Sequence, residues 1–300
     1  MNTQYRNFFS MGTRLDAVFI DIDEKYADIL LSGIKNKLEE IENILSIYRP
    51  DSELSILNRT AHKQDVVVSR YLYNAISECM NYYILTDRVF DAGRAKLTGY
   101  IQGVGKNESE ELKEMLETSG MELVELKKEG SIIRYHGKNV KIDSGGFGKG
   151  LAIREVKRIL LSGGVENALV SFGESSVLAL GSHPHGNHWP VAIANIFDRK
   201  TAAKVTRISN SSISTSGTGF VDASGLFKPA GNIFKPITGE PVDDPRTVSF
   251  ISDDPLEAEI LSTALLIDSE CLPADYDRSG KEAFAVMYDS RNNFIVNEIF

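Results

Sequence analysis

A lysine set among glycines at the start of a helix is one way a chain holds an anion. This sequence carries such a set at Asp143-Ser144-Gly145-Gly146-Phe147-Gly148-Lys149-Gly150, between an apolar run and a helix-forming one. The glycines let backbone N–H groups close on a ligand, the helix N-terminus adds positive potential, and Lys149 brings a full charge. Lys149 is followed by glycine rather than Ser or Thr, and the G-x-G-x-x-G spacing is absent, so the stretch is neither a P-loop nor a dinucleotide fingerprint. A tight strand-to-helix turn accounts for the same residues. The hydroxyl-rich tract from Ile208 to Gly219 can line a phosphate or ribose pocket, or can be a strand end followed by a solvated turn. Further on, Asp254-Pro255-Leu256-Glu257 opens a helix, with Asp254 as cap, Pro255 in the first turn and Glu257 at the capping-box position. Glu259 and Thr263 then fall on one face of that helix, and a carboxylate stacked with a hydroxyl offers oxygens suited to a hard ion such as magnesium. A surface Glu beside a Thr bonded back to its own helix is the plain alternative. His183, His185 and His188 have metal-like spacing that a polar loop explains equally well, and Tyr48 is either core or an aromatic platform. No Ser/His/Asp or Cys/His arrangement stands out, so no catalytic residue is assigned.

These residues need elements to position them. Leu15 to Asp21 suits a strand, and Glu24 to Tyr48 carries Ile34, Leu38, Ile41 and Leu45 at helical spacing. A helix capped by Ser69 and one from Ser109 to Ser119, stopped by Gly120, follow. Met121 to Leu126, Ile132 to Tyr135 and Asn139 to Ile142 read as strands, and Leu151 to Leu161 as the helix after the glycine loop. Strands are expected at Ala168 to Phe172, Val177 to Leu180, Trp189 to Ile193, Ala203 to Ile208 and Thr247 to Ser252. A helix from Pro255 to Ile267 interrupts them, and a hairpin of Phe284 to Tyr288 with Phe294 to Phe300 closes the chain. Helices first and strands later, with hairpins and no repeat or linker, predict a single α+β domain over residues 1–300 rather than a doubly wound parallel sheet.

Composition narrows the partners. With 42% hydrophobic and 25% charged residues the chain is an ordinary globular one, and a net charge of -9 lacks the basic excess of a nucleic-acid binder. Two cysteines, Cys79 and Cys271, are too few for a disulfide framework or a zinc site. No window approaches a membrane span, and the first residues lack a signal-peptide pattern or a lipid-attachment cysteine, so the expected location is cytoplasmic.

In their order along the chain, several segments resemble the FAD:protein FMN transferase (ApbE-like) family. Met11-Gly12-Thr13 is similar to its M-G-T, and Tyr48 to Asn58, YRPDSELSILN, resembles its Y-x-P-x-S-E-L-S-x-x-N. Phe90-Asp91-Ala92-Gly93 stands where the family writes F-D-x-T, and Asp143 to Gly150 looks like D-L-G-G-I-A-K-G. Ser214 to Gly217 matches S-T-S-G, Asn232 to Gly239 takes the place of H-I-I-D-P-R-T-G, and Glu257 to Ala264 resembles E-A-D-A-L-S-T-A. The resemblance implies mixed and antiparallel sheets flanked by helices, with an FAD cleft between lobes. It also implies transfer of FMN from FAD to a threonine of a separate acceptor protein, with magnesium present and AMP released. Carried over by position, it implies flavin contacts from Met11, Tyr48, Phe90, Asp91, Asp143, Lys149 and Phe234. The metal ligands it implies are the Gly146 carbonyl, the Glu259 carboxylate and the Thr263 hydroxyl.

The sequence departs from that pattern at chemically relevant places. Glu259 is one methylene longer than the family's aspartate, Asn232 and Lys235 replace a histidine and an aspartate, and Arg154 replaces an acidic residue. The family's G-G-D reads Gly173-Glu174-Ser175, and a Pro245-Arg246-Thr247 run mimics the P-R-T too close to the Glu259 helix. Losing the histidine removes a candidate proton acceptor. The alternative implied is a protein that binds FAD, or cleaves it to FMN and AMP, without flavinylating another protein.

Overall fold

The computed structural model describes residues 2–104, 109–222, 224–289 and 291–300. Its first hairpin pairs β1 (Thr3–Ser10) with β2 (Thr13–Ile20) through a turn of Met11 and Gly12, both at positive φ, 49° and 75°. A two-residue turn of that hand matches the twist of the strands it joins, at the cost of a left-handed methionine. Next comes α1 (Glu24–Leu45), which buries Leu30, Ile34, Leu38, Ile41 and Leu45 on one face and is capped by Asp23. It stops short of the expected Tyr48 because Ser46 turns the chain, its Oγ accepting the N–H groups of Tyr48 and Arg49, each at 3.2 Å.

A smaller lobe follows. It contains α2 (Glu53–Thr60), β3 (Val66–Val67), α3 (Arg70–Leu85), α4 (Ala95–Val104), α5 (Glu110–Thr118), β4 (Val124–Lys127) and β5 (Ile132–Tyr135). Ser52, Ser69 and Ser109 cap α2, α3 and α5 as N-cap serines do. β3, β5 and β4 form a small antiparallel sheet. The strand expected at Asn139 to Ile142 does not form. Its backbone bonds go elsewhere, Asn139 N–H to Thr118 at the end of α5, Lys141 N–H to Gly93 and Asp143 N–H to Ala92. Likewise Met121 to Leu123 is a 3-10 turn, so that strand starts at Val124.

The rest of the chain builds the main layers: α6 (Gly148–Ser162), β6 (Ala168–Phe172), β7 (Ser176–Leu180), β8 (Trp189–Ala194), β9 (Ala202–Ile208), β10 (Ser211–Gly217), β11 (Gly219–Val221), β12 (Phe227–Pro229), β13 (Arg246–Ser252), α7 (Pro255–Ile267), β14 (Glu282–Tyr288) and β15 (Phe294–Glu298). One sheet runs β1-β2-β6-β7-β10-β13-β14-β15, antiparallel throughout. One face, with Leu15, Phe172, Leu178 and Phe250, packs in a common core with α1, α6 and α7. The other, with Val177, Ile213, Ile251 and Phe284, is covered by Trp189 and Val191 of the β8–β9 hairpin. The architecture is α+β, as the order of elements predicts. Of the two readings of the hydroxyl tract, the strand end with a solvated turn gives way at Ser211–Gly217 to β10, a central strand. Nor does Glu257 close a capping box: its carboxylate accepts from Ser252, Tyr276 and Lys281, while the Asp254 N–H bonds Ser252 Oγ.

Candidate functional site

The site is set by how closely α6 approaches α7. A Cβ on Gly150 would lie 2.8 Å from Leu256 Cα, 2.9 Å from Pro255 O and 2.9 Å from Glu259 Cβ, so a residue with a side chain would force the helices apart. That approach puts Lys149 Nζ 2.9 Å from Glu259 Oε1. Glu259 is only 5% exposed, and its other oxygen accepts from Ser176 Oγ at 2.5 Å and Ser214 Oγ at 2.8 Å. Ser176 and Ser214 are cross-strand partners on β7 and β10, so the ladder itself delivers both hydroxyls to one carboxylate. Two residues along β10, Ser216 Oγ stands 2.8 Å from Thr263 Oγ1 and 2.9 Å from Ser262 Oγ. Thr215 points the other way, to Ser249 at 2.8 Å. The period of two thus sorts the S-T-S-G segment into residues that face α7 and one that does not.

The glycine loop is gripped from both sides. Asn58 of α2 takes both backbone groups of Ile142, each at 2.9 Å, and Ser144 Oγ donates to Leu45 O at 2.8 Å. Asp143 Oδ1 then accepts the Gly145 N–H at 2.9 Å. Phe90 lies under the loop, so a Cβ on Gly146 would sit 3.2 Å from its ring.

Two hollows meet at this loop. One, of about 330 Å³, is bounded by Phe90, Phe234, Gly146, Glu259 and Thr263; the other, of about 720 Å³, by Met11, Glu42, Ser46 and Tyr48. Asp143, Gly145, Lys149 and Asn232 line both and mark the junction. Phe90 and Phe234 are buried, and Phe234 also packs on Leu97 and Ile101 of α4. Tyr48, 90% exposed, stands free as a platform. Asp91 borders the smaller hollow, but its buried carboxylate is occupied by Arg94 Nε at 2.8 Å and by the N–H groups of Gly93 and Met121 at 2.9 and 3.0 Å. Burial pushes its pKa up and Arg94 opposes the shift. Its role in the fold is to pin the loop.

The departures resolve differently. Asn232 is at the junction, whereas Lys235 turns away to Glu240 at 3.1 Å and does not line either hollow. Arg154 ties α6 to Glu78 at 2.9 Å and to Asp254 at 2.6 Å, so it braces helices. Arg246 and Thr247 belong to β13 and also stay out of both hollows. His183 packs edge-on against Trp189 at 5.3 Å, and among the described residues no three His, Cys, Asp or Glu side chains form a metal-binding group. Any ion held here would therefore need carbonyl and hydroxyl oxygens too. Gly146, Glu259 and Thr263 border one hollow with oxygens of the kind a hard cation takes, and an ion there would displace Lys149 from Glu259 Oε1. The residue reading assigned no role to the serines that hold Glu259 and Lys149; the alternation in Ser214-Thr215-Ser216 is the signal that could have found one of them, Ser214.

Together these features define an α+β protein with a two-part cleft, aromatic at both ends, whose glycine-lined waist carries Lys149 and Asp143. The chain belongs to the ApbE family, whose model matches residues 11–272. The FAD:protein FMN transferase of Vibrio cholerae is 26% identical over 279 residues, 87% of this chain and 80% of the relative. That of Escherichia coli K12 is 25% identical over 272 residues, 86% and 76% of the two chains. Among solved structures, the ApbE protein from Thermotoga maritima superposes with a TM-score of 0.82 at 23% identity, covering 99% of this chain and 97% of that one. Flavin transferase ApbE from Vibrio cholerae gives 0.81 at 22% identity, covering 99% and 97%. At that identity the structural likeness establishes the fold.

Proposed function

We propose that this protein is a magnesium-dependent FAD:protein FMN transferase. The observation that carries the reading is the cleft's construction: two hollows with aromatic walls, joined at a waist lined by Gly145 and Lys149. FAD has the same plan, two planar ring systems joined by a diphosphate. The larger hollow with Tyr48 and Met11 suits the isoalloxazine, and the smaller one with Phe90 and Phe234 suits the adenine. Lys149 and the loop amides would hold the diphosphate at the waist.

In the transfer, the hydroxyl oxygen of an acceptor threonine attacks the FMN-side phosphorus, the bridging P–O bond breaks, and AMP leaves with the bridging oxygen. A magnesium ion held by the Gly146 carbonyl, Glu259 and Thr263 would supply charge neutralisation at the diphosphate. The chain's own share is positioning. Lys149 neutralises charge, and Asp143, which holds the Gly145 N–H, is the waist carboxylate without a basic partner among the described residues, placed to take the hydroxyl proton.

One observation favours a second reading. Asn232, which cannot take a proton, lines both hollows where the family pattern has histidine. An FAD-binding protein without transfer, or an FAD pyrophosphatase, would have that waist. Incubation with FAD and magnesium followed by nucleotide chromatography decides between them. AMP together with covalent flavin on an added acceptor supports transfer, AMP with free FMN supports hydrolysis, and intact FAD supports binding alone.

A further inference from the structure

Behind the cleft, on the sheet face away from the helices, lies another hollow of about 550 Å³. Its floor is the outward side of β6, β7 and β10, with Leu169, Val177 and Ile213, and its roof is β8, with Val191 and Ile193. The reaction proposed above makes no use of it. Yet Gly173 and Ser175 of the β6–β7 turn line it and the larger cleft hollow alike, and Thr215 lines it and the smaller one. Ser175 also receives a hydrogen bond from Lys149 at 2.6 Å. The β6–β7 turn therefore separates this hollow from the larger hollow of the cleft.

Three observations say what fits. β8 pairs with β9 alone among the described residues, so its other edge offers backbone N–H and C=O groups to a further strand. Thr247 lines the hollow, is 7% exposed, and keeps a hydroxyl with no partner, where buried hydroxyls are ordinarily bonded. At the mouth, Arg199 and Glu174 pair at 2.7 Å with both side chains exposed, and such a pair contributes little and opens readily. A second nucleotide is the poorer occupant: Arg199 is the only cationic side chain along the hollow's described lining, and Glu174 already holds it.

We propose that this hollow docks the acceptor protein. An extended acceptor segment adds along the free edge of β8, lays side chains over the half-buried Leu169 and Ser171, and carries its threonine hydroxyl past the β6–β7 turn to the waist. This rests on the transferase reading.

The test uses the full chain with FAD, magnesium and a library of short synthetic peptides that each carry a threonine. Flavin fluorescence on the peptides is read alongside AMP release and FAD affinity. Leu169 and Ser171 are half-buried on the floor, with Val170 and Phe172 between and beyond them facing the opposite core, so Leu169→Trp and Ser171→Trp fill the hollow from below. Both variants are expected to lower peptide labelling by about tenfold or more while FAD affinity and AMP release without peptide stay at the wild-type level. Labelling that is unchanged in both variants, or FAD affinity lost with it, would overturn the docking site while leaving transfer in place. A wild-type protein that releases AMP and labels no peptide would instead overturn the transferase reading, and the docking site with it.

Discussion

Lys149 and Glu259 are each other's counter-ion in a poorly solvated place, so removing either leaves a charge behind. Lys149→Ala is expected to weaken FAD binding by about 1.5 to 3 kcal/mol, a tenfold to hundredfold loss on fluorescence titration. Lys200→Ala, in an exposed turn between β8 and β9, should leave it unchanged. Lys149→Ala should also lower the thermal midpoint, and adding Glu259→Gln to it should recover part of that loss, because the stranded carboxylate is gone. Alone, Glu259→Gln keeps the shape and removes a charge; weaker magnesium binding in the FAD complex, followed by titration calorimetry, is the expected result. The two thiols make a separate case. Burial pushes the Cys79 thiol far up and the Cys271 thiol up to about 12, so neither should react with an alkylating reagent until the protein unfolds. Lys149, Glu259 and Thr263 were legible because a glycine loop and an i, i+4 spacing have physical signatures. Ser175 and Ser176 have none, since a serine in a turn or at a strand start is ordinary until the fold shows what it faces.

At the level of elements, the contact that Gly150 allows between α6 and α7 positions the waist. Gly150→Ala must displace backbone atoms of α7, an overpacking that costs about 1 to 3 kcal/mol. A lower thermal midpoint together with weaker FAD binding is expected, whereas Gly164→Ala, with open space around it but φ at +69°, should lose stability alone. Helices with serine or aspartate caps and one apolar face, such as α1, α3 and α7, were legible to within a few residues. β10 was not, because its α7-facing side is serine whose hydroxyls are satisfied by Glu259, Ser262 and Thr263, and a search for apolar alternation passes over it. β1 was missed for the opposite reason: an edge strand exposed along much of its length shows no burial pattern to read. Asn139 to Ile142 looked like a strand because it is apolar in part, but its N–H groups go to the end of α5, to nearby turns and to the Asn58 side chain.

Across the whole molecule, the cleft gathers Met11, Tyr48, Phe90, Asp143, Ser214 and Glu259, which come from nearly the full span of the sequence. A ligand that binds only this assembled cleft therefore stabilises the entire fold, not a local lobe. FAD at a hundred times its dissociation constant should add about 2.7 kcal/mol to global stability, read as a higher urea midpoint with an unchanged slope. The Met11–Gly12 turn, described above as the joint of the first hairpin, takes on another meaning in time. Its strand β2 finds its neighbour β6 only after more than a hundred intervening residues have been placed, and the waist waits longer still for α7. Contacts so distant along the chain are slow to close. During synthesis the cleft proposed for FAD is incomplete until α7 has left the ribosome, so FAD would recognise chains in which the cleft is assembled and would not template its assembly.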